Sequence, residues 1–73
     1  MIDVTLCEMK LSGGRVEYWP RIICDGRTFE TRVYGGDFKN RAEYEVAQLR
    51  HVLLGEPKPS LLDPKYADTK EQS

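Results

Sequence analysis

Seventy-three residues with 11 basic and 12 acidic side chains make a small, nearly neutral chain, long enough for one domain with one thin core. Its 40% hydrophobic and 32% charged content is that of an ordinary soluble protein. No apolar run approaches the ~20 residues that cross a bilayer, and the N-terminus lacks the basic flank and apolar stretch of a signal peptide, so the expected compartment is the cytoplasm.

The first element is residues 2–11 (IDVTLCEMKL), rich in β-branched and apolar side chains with imperfect alternation. Ser12-Gly13-Gly14 reads as a turn, because two glycines tolerate the positive φ of a tight hairpin. Residues 15–24 (RVEYWPRIIC) read as a second strand and 27–34 (RTFETRVY) as a third. Asp25-Gly26 between them is a strong short-range hairpin signal. After Gly35-Gly36 a helix is expected, with Asp37 or Asn40 as N-cap. Phe38, Ala42, Val46, Leu49 and Leu53 share one helical face. Gly55 suits the left-handed position after the last turn and Pro57 prevents continuation. The fold class is α+β: a three-stranded antiparallel meander packed on one C-terminal amphipathic helix, β-β-β-α. Residues 1–55 form this single domain, and 56–73, interrupted by Pro57, Pro59 and Pro64, form a partly disordered tail.

A two-residue loop at Asp25-Gly26 pairs Cys24 with Arg27, Ile22 with Phe29 and Tyr18 with Val33. Val16, Tyr18, Ile22, Cys24, Phe29 and Val33 then share the helix side, with Val46 and Leu49 packed on Phe29 and Ile22. Glu17, Trp19, Arg21, Ile23, Glu30, Arg32 and Tyr34 share the outer side. There Arg21 opposes Glu30, and Trp19 opposes Arg32 as a cation–π pair. A two-residue turn at Gly13-Gly14 would place Met9 and Cys7 on the helix side and Ile2, Val4 and Leu6 on the outer side. That outer face would be unusually apolar for a monomer. Three readings account for it: a bulge in the first strand turns Ile2, Val4 and Leu6 inward, the tail folds over the patch with Leu61, Leu62 and Tyr66, or the patch binds another protein. Pro20 disturbs the register nearby, since it removes a ladder donor.

No catalytic constellation, cofactor motif or metal-ligand spacing is present. His51, the sole histidine, sits late in the helix, where a cation is favourable. Cys7 and Cys24 are expected as free thiols, out of disulfide reach on adjacent strands. Gly35-Gly36, with Lys39 and Arg41 close by, offers a candidate anion-binding turn, although a plain strand-to-helix turn is the preferred reading of the glycines. Trp19, Arg21, Arg32 and Tyr34 combine residue types that stack bases and that anchor protein interfaces.

Two families resemble residues 16–54 in β-β-β-α order. The run KNRAEYEVAQLRHVLL (39–54) is similar to the second helix of the double-stranded-RNA-binding domain, where Lys39 and Ala42 match its K-K-x-A-K opening. Asn40 and Glu43 stand where that family has further lysines, and its first helix has no counterpart here. The segment WPRIICDGRTFETRV followed by DFKNRAEYEVAQL resembles the AP2-like, integrase arm-type DNA-binding domain. That resemblance implies groove contacts from Trp19, Arg21 and Arg32.

Charge balance argues against a phosphate-dominated partner. The functional expectation is therefore a small non-catalytic protein-binding module, an accessory or inhibitor protein of the phage-type, anti-CRISPR-like kind. Its binding residues would be Trp19, Arg21, Ile23, Arg32, Tyr34, Val4 and Leu6, on an outer face that takes a protein partner or a second copy. The alternative is a DNA- or RNA-binding module using the same face.

Overall fold

The computed structural model describes residues 1–66. Its elements are β1 (Ile2–Lys10), a 3-10 turn (Ser12–Gly14), β2 (Val16–Cys24), β3 (Arg27–Glu30), β4 (Tyr34–Gly35), a 3-10 turn (Gly36–Phe38), the helix α1 (Lys39–Leu54) and a last 3-10 turn (Pro64–Tyr66). All pairings are antiparallel. β2 is central, flanked by β1 on one side and by β3 and β4 in succession on the other. The β-β-β-α arrangement is as the sequence predicts, with the third strand split in two.

Two loops decide which side chains face the helix. β1 runs unbroken against β2 from Ile2↔Cys24 to Lys10↔Val16. The connection is therefore Leu11–Arg15, closed by Leu11 N–H donating to the Arg15 carbonyl at 2.7 Å. Gly13 and Gly14 both take positive φ inside it, 81° and 79°. This loop shifts the register by one residue from that of a two-residue turn, and a one-residue shift moves every side chain of a strand to the other face. Val4, opposite Ile22, and Leu6, opposite Pro20, thus turn toward the helix, and Cys7 and Met9 turn outward. Loop length, not a bulge in β1, produces the inward rotation.

The second decision is made by Pro20. Arg21 pairs with Glu30 and Tyr18 with Tyr34, so residues 31–33 stand opposite only Trp19 and Pro20. Proline has no N–H to offer the third strand, and the ladder yields where that donor is missing. The Pro20 carbonyl still accepts from Thr31 N–H at 3.4 Å. Beyond this point Tyr34, not Val33, lies opposite Tyr18 and faces the helix.

The helix lies over β1 and β2. Ala42 and Val4 are fully buried, and Tyr18 and Pro20 are buried with them. Val46 and Leu49 are only half-buried. Phe29 shares the helix side of the sheet with Ile22, yet it stays 51% exposed because α1 does not reach over β3. The expected seat of Val46 and Leu49 on Phe29 is corrected accordingly. Phe38 occupies the N-cap position and makes no side-chain cap hydrogen bond, and Asn40 lies inside the helix, its side chain turned to the Tyr66 carbonyl. Gly55 ends the helix in the left-handed region at φ 76°, as expected, with its N–H on the His51 carbonyl at 3.2 Å.

Residues 56–66 fold back along α1 instead of covering the sheet. Asn40 donates to the Tyr66 carbonyl at 2.7 Å, and the Tyr44 and Tyr66 rings meet edge to face with centroids 5.3 Å apart. Arg50 donates to the Glu56 carboxylate, to Asp3 and to the Val4 carbonyl, tying tail, helix and β1 together. The remainder of the expected disordered tail, residues 67–73, lies outside the described residues. No described helix is long and apolar enough to cross a membrane.

Candidate protein-binding face

Alternation along β1 and β2 builds the outer face from Thr5, Cys7 and Met9 beside Glu17, Trp19, Arg21 and Ile23. β3 adds Thr28 and Glu30. Trp19 and Arg21 both lie two strand positions or fewer from Glu30, and both bond it. The indole N–H of Trp19 and the Nε and Nη2 of Arg21 all donate to Glu30 Oε2, the latter two at 3.2 and 2.9 Å. The Trp19 and Arg21 bonds hold the Glu30 carboxyl below its ordinary range, and the Glu30 bond in turn raises Arg21. Trp19 is half-buried, while Met9 and Ile23 stand out at 50% and 39% exposure.

This cluster fixes the chemistry of the face. The indole ring is oriented before any partner arrives, and Arg21 already has a carboxylate partner. The strands place Asp3, Glu17 and Glu30 on this side, with Glu30 paired to Arg21 and Asp3 to Arg50. The surface is thus an aromatic and thioether patch bordered by paired charges.

The other anticipated binding residues are distributed differently. Val4 is in the core at 1% exposure and Leu6 faces the helix, so neither belongs to the outer face. Tyr34 also faces the helix, where its hydroxyl donates to Glu45. That bond, with burial, raises the Tyr34 hydroxyl above its usual pKa. Arg32 is exposed in the 31–33 segment, and among the described residues it makes no cation–π contact with Trp19, whose indole N–H donates to Glu30. Of the outer-face set, Trp19, Arg21 and Ile23 remain together.

The candidate anion-binding pair is engaged with neighbouring side chains. Lys39 Nζ lies 5.4 Å from the Tyr18 ring centroid and 3.9 Å from Glu43, and Arg41 lies over the Phe38 ring at 5.1 Å. The turn at Gly36 lies against β2, where an added Cβ would meet the Val16 carbonyl at 3.4 Å, an ordinary van der Waals contact. Cys7 and Cys24 are free thiols on opposite faces, five pairing positions or about 17 Å apart. His51 Nδ1 sits 2.7 Å from the Glu56 carbonyl, a contact that closes the end of the helix.

Sequence reasoning found the Arg21–Glu30 opposition but missed Met9 and Cys7 as outer-face residues. The signal was present in β1 parity: Val4 and Leu6 make a more apolar stripe than Cys7 and Met9, with charged residues entering the even stripe only at Glu8 and Lys10. No protein-family model, curated protein or solved structure matches the chain.

Proposed function

We propose that this chain is a small non-catalytic protein-binding module that works through the outer face of its sheet, with Trp19 as anchor. The observation that carries the reading is the Trp19–Glu30–Arg21 cluster. A large aromatic side chain held in place by a hydrogen bond loses little rotamer freedom on binding, and such rigid aromatics carry much of the energy of protein interfaces. Met9 and Ile23 extend the apolar contact on either side.

The same cluster disfavours nucleic acid. Phosphate binding draws on unpaired Lys and Arg, and here the one outer-face guanidinium is matched by Glu30 among further carboxylates. A partner that complements this face would offer an apolar pocket for the indole.

The test places a photo-crosslinking side chain at Met9 and exposes the protein to an extract of the cells that make it. One protein should be captured in comparable yield at low and high salt, and Trp19→Ala should abolish capture without unfolding the domain. The reading fails if no protein adduct forms and the domain instead binds oligonucleotide with a steep salt dependence.

A further inference from the structure

β1 is an edge strand, and its backbone turns outward at every second residue. The parity is fixed at both ends of its pairing with β2. Leu11 N–H donates to the Arg15 carbonyl and Asp25 N–H to the Met1 carbonyl, so the odd-numbered residues of β1 bond across to β2. The even-numbered residues therefore present their N–H and C=O groups to the open edge. At Val4 both groups are already taken: Asp3 accepts from the N–H and Arg50 donates to the carbonyl. These two side chains confine further pairing to Leu6, Glu8 and Lys10. Glu8 and Lys10 are exposed and stand on the helix side of the sheet.

We infer that this open run of β1 pairs antiparallel with the same run of a second copy, about a two-fold axis at Met9, so that Glu8 of each copy lies opposite Lys10 of the other. The edge itself names the class of occupant. A row of outward N–H and C=O groups is satisfied by another extended backbone. The side chains name the sequence of that backbone. A strand antiparallel to Glu8-Met9-Lys10 complements it by carrying a lysine opposite Glu8 and a glutamate opposite Lys10. Glu8-Met9-Lys10 itself, turned about Met9, does both.

Neighbouring registers lose this match. An axis at Glu8 sets the two Glu8 carboxylates opposite each other, and an axis at Lys10 does the same to the lysines; both arrangements are unfavourable. An axis at Cys7 brings Lys10 opposite Val4, and an axis at Leu6 brings Glu8 there, where the backbone groups are occupied. With the axis at Met9, each Glu8–Lys10 pair exchanges both backbone bonds. The two Met9 side chains, each 50% exposed in the single chain, meet on the outer side. The two sheets become one, with both helices on one side and both Trp19 rings on the other. Trp19 lies one strand in from the edge and stays open, so this contact is separate from the partner site proposed above. Self-adducts of a crosslinker at Met9 belong to this contact and persist in Trp19→Ala. Adducts with another protein belong to the outer face, and the two readings fail separately.

Disulfide trapping reads the axis directly. Met9→Cys, in a chain carrying Cys7→Ser and Cys24→Ser, should give a covalent dimer under mild oxidation, because Cα atoms about 4.5 Å apart across the axis are within disulfide range. Thr5→Cys in the same background, equally on the outer side, should stay monomeric. Lys10→Glu or Glu8→Lys alone should reduce trapping through Met9→Cys several-fold. Making both exchanges together should restore it, which charges that do not face each other would not do. In the wild-type chain, hydrogen exchange of the Glu8 and Lys10 amides should slow as protein concentration rises. That measurement needs no substitution and decides the matter if a variant fails to fold. The inference is overturned if those amides exchange at a rate independent of concentration, if Thr5→Cys traps as readily as Met9→Cys, or if the double exchange does not restore trapping. A Cys7–Cys7 disulfide in the oxidised wild-type chain would place the axis at Cys7 and overturn it as well.

Discussion

Tyr34 stands directly across the sheet from Tyr18 and places its hydroxyl on the Glu45 carboxylate of α1. Thr31 donates to the other oxygen of the same carboxylate at 2.8 Å. Glu45 therefore ties both ends of the irregular 31–33 segment to the helix. Without it, the third strand would be held to the fold only through β2 at each side of the Pro20 break.

Tyr34→Phe should destabilise the domain by about 1 kcal/mol, the ordinary worth of one partly buried hydrogen bond. The Tyr34 pKa is raised by Glu45, so its contribution is full below the ordinary tyrosine value of 10.0 and is lost as pH rises through the higher folded value. In an ultraviolet titration, Tyr34→Phe should remove one late-ionising tyrosine. Removal of an early-ionising one would mean that the Glu45 bond is not formed.

The register of β1 can be checked by a pair of truncations. Val4→Ala should cost on the order of 2 kcal/mol in urea titration, because it empties a fully buried site. Met9→Ala should cost less than about 0.5 kcal/mol, as expected of an exposed position. The reverse order would show that β1 presents its other face to the helix.

The Trp19–Glu30 bond gives a readout in acid. Glu30 is held below its ordinary value of 4.5 by Trp19 and then by Arg21. A depressed carboxylate adds stability that is complete above the unfolded value and lost as pH falls through the folded one. The fluorescence of the chain's single tryptophan should therefore change with a midpoint below pH 4.5, and Glu30→Gln should abolish that transition. A midpoint at or above the ordinary value would show that the indole and guanidinium do not engage this carboxylate.

Arg50 guards the exposed edge of the sheet. Its guanidinium covers the Val4 carbonyl while Asp3 accepts from the Val4 N–H at 2.9 Å, so one outward-facing backbone unit of β1 is occupied on both sides. Arg50→Ala should lower the midpoint of urea unfolding, since it removes the hydrogen bonds to Glu56, Asp3 and the Val4 carbonyl. It should also raise aggregation measured by light scattering, since a long free strand edge templates further pairing. Unchanged stability and solubility would remove Arg50 from this role.

Local chemistry in the sequence was enough for the element order, the Asp25-Gly26 hairpin, the Arg21–Glu30 pair and the Gly55 helix end. In each of these a few neighbouring residues impose the backbone angle or the pairing: Asp25 and Gly26 both take positive φ, as that turn requires. Three further outcomes depended on the tertiary structure. The facing of β1 rested on whether the Ser12-Gly13-Gly14 loop spans two residues or five, an interval that sequence punctuation does not measure. The placement of Tyr34 rested on how the third strand absorbs the donor missing at Pro20. The position of α1 over β1 and β2, which buries Val4 and leaves Phe29 and Val52 exposed, rested on Arg50 and Glu45 fastening the helix at its two flanks. Periodicity states which side of a strand or helix is apolar. Which apolar side meets which is a property of the assembled chain, because a one-residue change in a loop exchanges the faces at almost no local cost.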